Sequence, residues 1–364
     1  MKVGDIVIFF EQLAPLSYQE SYDNSGLIIG DRQMEVKSVL LTLDITPNVV
    51  NEAIQVGANV IVAHHPIIFS GLKRITGSNY VEQSVILAIK NDIAIYAAHT
   101  NFDSIKNGVN FAIANKLGVK NPQILQPLAN ELVKLVTFVP KDHADKVRFA
   151  IFDAGAGHIG NYDCCSYNVD GFGTFRGNNS TNPFVGEKGK IHREPEVRLE
   201  TIMPKSIQAK VLDALFTSHP YEEVAYDLYP LNNRYNEVGL GMVGDMESAM
   251  APMDFLRFVK SAFNAGCVRY TELPSKNIER VAFCGGSGAS FLKAAMAAKA
   301  DVFVTGDFKY HQFFDAEGKI LIADIGHYES EQFTIDLFYD YLSKKFPNFA
   351  VLKSKVTTNP INYL

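Results

Sequence analysis

Three absences narrow what this chain can do. No stretch has the unbroken apolar length of a membrane span, although 47% of residues are hydrophobic and 20% charged, an ordinary globular balance. Cysteine is scarce: Cys164, Cys165, Cys267 and Cys284 show no Cys-x-x-Cys spacing and no disulfide framework, as expected in a reducing compartment. Adjacent Cys164 and Cys165 are candidates for thiol ligands or a redox pair, but neighbours on a strand point to opposite faces, which favours plain packing. Positive charge is short as well. A formal net charge of −6 argues against broad attraction to nucleic acid or anionic membrane, and no basic stripe is interleaved with aromatics. At the N-terminus, MKVGDIVIFFEQL sets one lysine before an apolar stretch that Asp5 and Glu11 interrupt, and no small-residue cleavage site follows. It reads as a first helix, and the expected location is the cytoplasm.

What is present is an alternation of short apolar runs and helical stretches. From Ser38 to Asp103 the order is SVLLTLDIT, PNVVNEAIQVGA, NVIVAHH, YVEQSVILAIKND and IAIYAAHTNFD, a strand-helix-strand-helix-strand rhythm. Runs apolar on both faces fit buried parallel strands, so an α/β core is expected. The C-terminal part repeats the rhythm. GANVIVAHHP lies beside KADVFVTGDF and IAIYAAHTNFD beside ILIADIGHYES, which suggests two related α/β halves, residues 1–126 and 233–364, facing a shared cleft. Between them, residues 127–232 read as strand, helix, strands, helix, strand, the order of an inserted ferredoxin-like α+β domain. Its tip, GTFRGNNSTNPFVGEKGK, reads as a mobile loop, and His219, a candidate ligand beside two carboxylates but with no second histidine nearby, reads rather as a structural or interface residue.

Polar residues collect where the apolar runs end. His64 and His65 follow one strand, Asp103 follows the next, and His327 with Glu331 follows the last strand of the second half, spaced to share a face of a helical turn. An adjacent histidine pair alone suits a buried residue with an exposed neighbour. With the two carboxylates and His327 it suits two metal ions, each taking one histidine if the chain turns at Pro66. Imidazole with carboxylate points to zinc first, with manganese, iron or cobalt as alternatives. His99 is a candidate for a sixth ligand, a partner of a ligand or a proton shuttle. Lys73 and Arg74, and Asp307, Lys309 and His311, are candidates for gripping phosphate or a polar substrate, or are solvated loop charges. FCGGSGASF has the look of a phosphate-cradling loop but lacks the lysine of a P-loop, and a tight strand-to-helix turn explains it. YDNSGLIIGD places Asp23, Asn24 and Ser25 in a loop that borders the cleft or is turn chemistry alone.

The stretches DNSGLIIGD, AHHPIIFSGLKRI, AAHTNFD, VTGDFKYH and IADIGHYESE, in that order, resemble the Nif-three-like (NGG-interacting factor three) family, whose bacterial members are often named GTP cyclohydrolase 1 type 2 homologs. HPYEEVAYDLYPL and GFGTFRG resemble its longer bacterial branch, with an insertion similar to PII and CutA proteins. Carried over position by position, the resemblance implies that His64, His65, Asp103, His327 and Glu331 hold two divalent metal ions. It also implies a ring-shaped homohexamer with the metal sites facing an internal cavity. The family name implies hydrolytic opening of the guanine ring of GTP with release of formate. In a dinuclear hydrolase built on these residues, Asp103 or Glu331 is expected to bridge the ions and a shared water to attack. A phosphoester would be served by the same residues. The rival expectation is a metal-binding scaffold or regulator whose PII-like insertion senses a small molecule or partner. Neither membrane nor nucleic acid is an expected partner.

Overall fold

The computed structural model describes all 364 residues. Met1–Pro127 together with Glu237–Leu364 form one compact unit, and Leu128–Asn236 form another. The larger unit is a mixed α/β structure carrying two sheets. The first runs in the spatial order Gly26–Ile29, Ala94–Ala97, Val60–Ala63, Val39–Thr42, Val351–Lys353. All neighbours pair in parallel except Gly26–Ile29, which closes the edge antiparallel. The three strands between the edges are buried at every position, as their two-sided apolar sequences require.

Helices Pro47–Val56 and Tyr80–Lys90 cover one face, packing Val49, Val50, Ala53, Val85 and Ala88 over Leu40, Ile61 and Ile95. The first starts where the Thr46 hydroxyl accepts from Val49 N and Pro47 presets the first turn, and it stops at left-handed Gly57. Aromatic rings fill the other face: Tyr96 stacks on Phe10, which meets Phe102 and Phe338 edge-on.

The second sheet has the order Arg269–Tyr270, Leu321–Asp324, Val302–Gly306, Ile278–Ser287, Arg234–Met250, Lys120–Ala129. Its parallel strands are Ile278–Ser287, Val302–Gly306 and Leu321–Asp324, with Arg269–Tyr270 antiparallel at the edge. Read from that edge, its first four strands repeat the chain order of the first sheet. Each sheet therefore ends its second and third parallel strands at corresponding places, and there the polar residues gather.

The smaller unit holds one antiparallel sheet, ordered Ser166–Phe175, His192–Pro204, Leu132–Pro140, Tyr226–Leu231. Helices Ala144–Asp153 and Gln208–Ser218 pack Val147, Ile151, Val211 and Leu215 against Val133, Leu135, Leu199 and Met203. His219 is buried there with both nitrogens committed: Nε2 donates to Phe138 O and Nδ1 accepts from Tyr221 N. No helix of the chain is long and apolar enough to cross a membrane.

Candidate metal centre

His64 and His65 continue the ladder beyond Val60–Ala63, their amides donating to Thr42 O and Leu43 O. Their rings lie 4.8 Å apart and close on residues from both sheets. Asp103 ends the short helix Thr100–Asp103 that follows the strand Ala94–Ala97. His327 and Glu331 begin and end the single turn His327–Glu331 that follows Leu321–Asp324.

Each imidazole is gripped from its outer side. His64 Nδ1 donates to Ala98 O at 2.8 Å, His65 Nδ1 to Asp44 Oδ1 at 2.7 Å, and His327 Nδ1 to Asp307 Oδ2 at 2.7 Å. An acceptor on Nδ1 leaves Nε2 as the free nitrogen, the arrangement that metal-ligating histidines use. The inner atoms form two groups. His65 Nε2, His327 Nε2 and Glu331 Oε2 stand 3.0 to 3.2 Å apart. Glu331 Oε1 is 3.6 Å from His64 Nε2, which is 3.7 Å from Asp103 Oδ1. Bonds of about 2.0 Å to a tetrahedral ion set its ligands about 3.3 Å apart, so both groups are close to the size of an ion's shell.

Two further features fit a cation. His64 Nε2 and Asp103 Oδ1 are buried with no hydrogen-bond partner, an omission that costs about 1–3 kcal/mol per group unless something else satisfies it. Glu331, only 3% exposed, reaches the centre through space left by Gly286, whose φ is +62° and where a Cβ would stand 2.4 Å from Glu331 Oε1. Electrostatics agrees. Burial opposes charge on His65, yet hydrogen bonds to Asp44 and Glu331 raise its pKa to about 9. Burial likewise opposes charge on His327, but Glu331 and Asp307 raise it to about 11. Burial pushes the Asp103 carboxyl up, reinforced by the Glu331 charge, while Glu331 is held well below the usual range, against burial, by His327 and His64.

Comparison with known proteins shows the family of the chain. Residues 1–360 match the model of the Duf34/NIF3 (NGG1p interacting factor 3) family. The chain belongs to that family. A Halalkalibacterium halodurans protein named GTP cyclohydrolase 1 type 2 homolog is 40% identical over 100% of both chains. A Bacillus subtilis protein of the same name is 39% identical over 99% of this chain and 98% of its own. A crystal structure of a Bacillus cereus protein related to NIF3 superposes with a TM-score of 0.87 at 41% identity, covering 100% of this chain and 99% of the other.

In this Duf34/NIF3 chain the cluster opens on a cavity of about 470 Å³. His99 stands on its wall, its Nδ1 donating to Asp23 Oδ1 at 2.7 Å, and one ring nitrogen each of His64, His65 and His99 lie within 4.8 Å of one another. Asp23 also accepts from Thr100 N and Ser25 Oγ, so the DNS loop anchors His99 through Asp23 while the adjacent Tyr22 lines the cavity. Asp307 arrives as the partner of His327. Lys73, Arg74, Lys309 and His311 are not among the residues lining the cavity. Sequence reading missed Asp44 and its own partner, Thr358, whose hydroxyl donates to Asp44 Oδ2 at 2.6 Å. The one available signal for Asp44 was its place after the first parallel strand, matching the positions of the other polar residues.

Proposed function

We propose that His64, His65, Asp103, His327 and Glu331 bind two divalent metal ions and that the protein is a metal-dependent hydrolase. The observation that supports this best is the sharing of Glu331, with Oε1 toward His64 and Asp103 and Oε2 toward His65 and His327. Zinc is the first candidate for this nitrogen and oxygen donor set, with manganese, iron or cobalt as alternatives; such ions supply Lewis acidity and water activation near neutral pH. The protein's own groups do the rest. Asp44 and Asp307 fix the rings of His65 and His327, and His99, braced by Asp23, is placed to take or give a proton in the cavity.

The name shared by the relatives makes opening of a guanine ring with release of formate the candidate reaction. We also propose a cytoplasmic homohexameric ring, on the family resemblance, and a ferredoxin-like insertion over residues 127–232 between related α/β halves. The strand order of the smaller unit and the matching orders of the two larger sheets support the last two points.

Elemental analysis of the full chain and a turnover screen with GTP, other nucleotides and simple phosphoesters test the reading. Glu331→Gln is expected to lose both ions and all hydrolysis; unchanged metal content and rate would sink it. Light scattering tests the hexamer. The regulator reading draws support from a cavity of about 610 Å³ in the smaller unit, walled by Phe172, Phe175, Phe184 and Tyr221 around buried Glu196. Binding without turnover would favour it.

A further inference from the structure

The cavity in front of the cluster narrows the substrate class, an inference that rests on the metal-centre reading for which end of the substrate reacts. Its volume, about 470 Å³, suits a small molecule. Four aromatic side chains line it: Tyr22, Phe69, Phe291 and Tyr328. Tyr22 and Phe69 are 60% and 52% exposed, so neither serves the core. Their ring centroids are 6.1 Å apart, and Phe69 meets His99 edge-on at 6.2 Å. Exposed rings beside a reactive centre offer flat surfaces for stacking.

The cavity has no counterpart for a chain of phosphates. None of its lining residues is lysine or arginine, whereas Asp44, Asp103 and Glu331 all reach it. Phosphate sites without basic side chains use free backbone amides, and the glycine loop here has spent two of its own. Gly285 N donates to Asn110 Oδ1 and Gly286 N to Ser330 Oγ. Beyond the cluster itself, a polyphosphate would meet the Asp44 carboxylate, the neutral side chains of Thr100, Ser287 and Asn359, and aromatic carbon, with no cationic side chain to balance its charge.

We propose that the substrate is an uncharged planar heteroaromatic compound of nucleobase or nucleoside type, stacked against Tyr22 and Phe69, and that a triphosphate tail is not recognised. The test is calorimetric titration of the zinc-loaded full chain with guanosine, adenosine and GTP, its metal content checked by elemental analysis. A nucleoside is expected to bind, with GTP no tighter than guanosine. Tyr22→Ala and Phe69→Ala each weaken the nucleoside by about tenfold at unchanged metal content, and Tyr22→Phe preserves binding. Both residues are more than half exposed, so the fold should survive their loss. GTP binding tenfold tighter than guanosine, no binding of either nucleoside, or unaltered affinity in both alanine variants overturns the proposal. Failure of the wild-type chain to take up zinc would count against the metal reading instead, and titration of the metal-free chain with the same nucleosides would then judge the stacking proposal by itself.

Discussion

At the end of its second parallel strand the first sheet presents His64 and His65, whereas the second sheet presents Gly306 and Asp307 at the matching place. The correspondence is set by register: Ala63 pairs with Ala97 in one sheet, and Thr305 with Asp324 in the other. The position of His64 in the first sheet is thus taken by Gly306 in the second, where a Cβ would lie 2.7 Å from His327 N and 2.8 Å from the Gly326 carbonyl carbon. The second sheet gives up a side chain there so that the turn carrying His327 can cross close by. Asp307, opposite His65, has become the group that orients His327. Equal topology thus supports unequal duties: one sheet offers candidate ligands from two strand ends, and the other concentrates them on a single helical turn.

The largest effect that would break this comparison is loss of one half of the centre. His64→Ala removes a nitrogen from the group of His64, Asp103 and Glu331, and His327→Ala removes one from the group of His65, His327 and Glu331. Each variant should keep one ion of the pair and lose turnover, read by elemental analysis beside activity. Loss of both ions from either variant would mean that the groups do not fill separately. A smaller effect should follow Asp44→Asn and Asp307→Asn, which brace His65 and His327 from non-equivalent strand ends of the two sheets. Each is expected to weaken metal binding by about 10–100-fold in competition with a chelating dye. A large inequality between them would show that one sheet holds its ligand by packing alone.

The smallest expected effect concerns stability. Glu82 in the first half accepts hydrogen bonds from the Thr76 and Ser78 amides and hydroxyls, and the Thr76 amide first, then that of Ser78, lowers its pKa to about 2. A lowered folded-state pKa contributes stability that is present above the ordinary carboxylate range and fades as pH falls from about 4.5 toward about 2. Melting temperatures of wild type and Glu82→Gln should therefore differ at pH 7 and converge as pH drops below 4. A difference that stays constant with pH would exclude the carboxylate as its source.

Much of this was legible because buried parallel strands write two-sided apolar runs, and whatever polar residue ends such a run stands out. His64, His65, Asp103, His327 and Glu331 were visible for that reason, and the spacing of the last two fixed them on one turn. Asp44 and Thr358 were not, since their roles depend on which strand lies beside which. The lysines and arginine near the histidines illustrate the opposite error of emphasis. Lys73, Arg74 and Lys309 are close to the site in sequence, but loops carry charge for solvation, and only the folded chain shows that none of them lines the cavity. The glycine loop was ambiguous until its amides could be assigned partners.

The strand Val351–Lys353, which completes the first sheet in parallel beside Val39–Thr42, ties assembly of that sheet to a segment far down the chain. His64 and His65 leave the ribosome long before that strand does; at about 5–20 residues per second the interval is roughly 15 to 60 seconds. During that time the edge of Val39–Thr42 is unpaired, and Asp44 awaits Thr358. A chain that stops short of Val351 therefore carries an open strand edge, a hazard for aggregation, together with an unbraced Asp44. Synthesis of the segment from Val351 to Thr358 is itself the step that closes the sheet and braces the site.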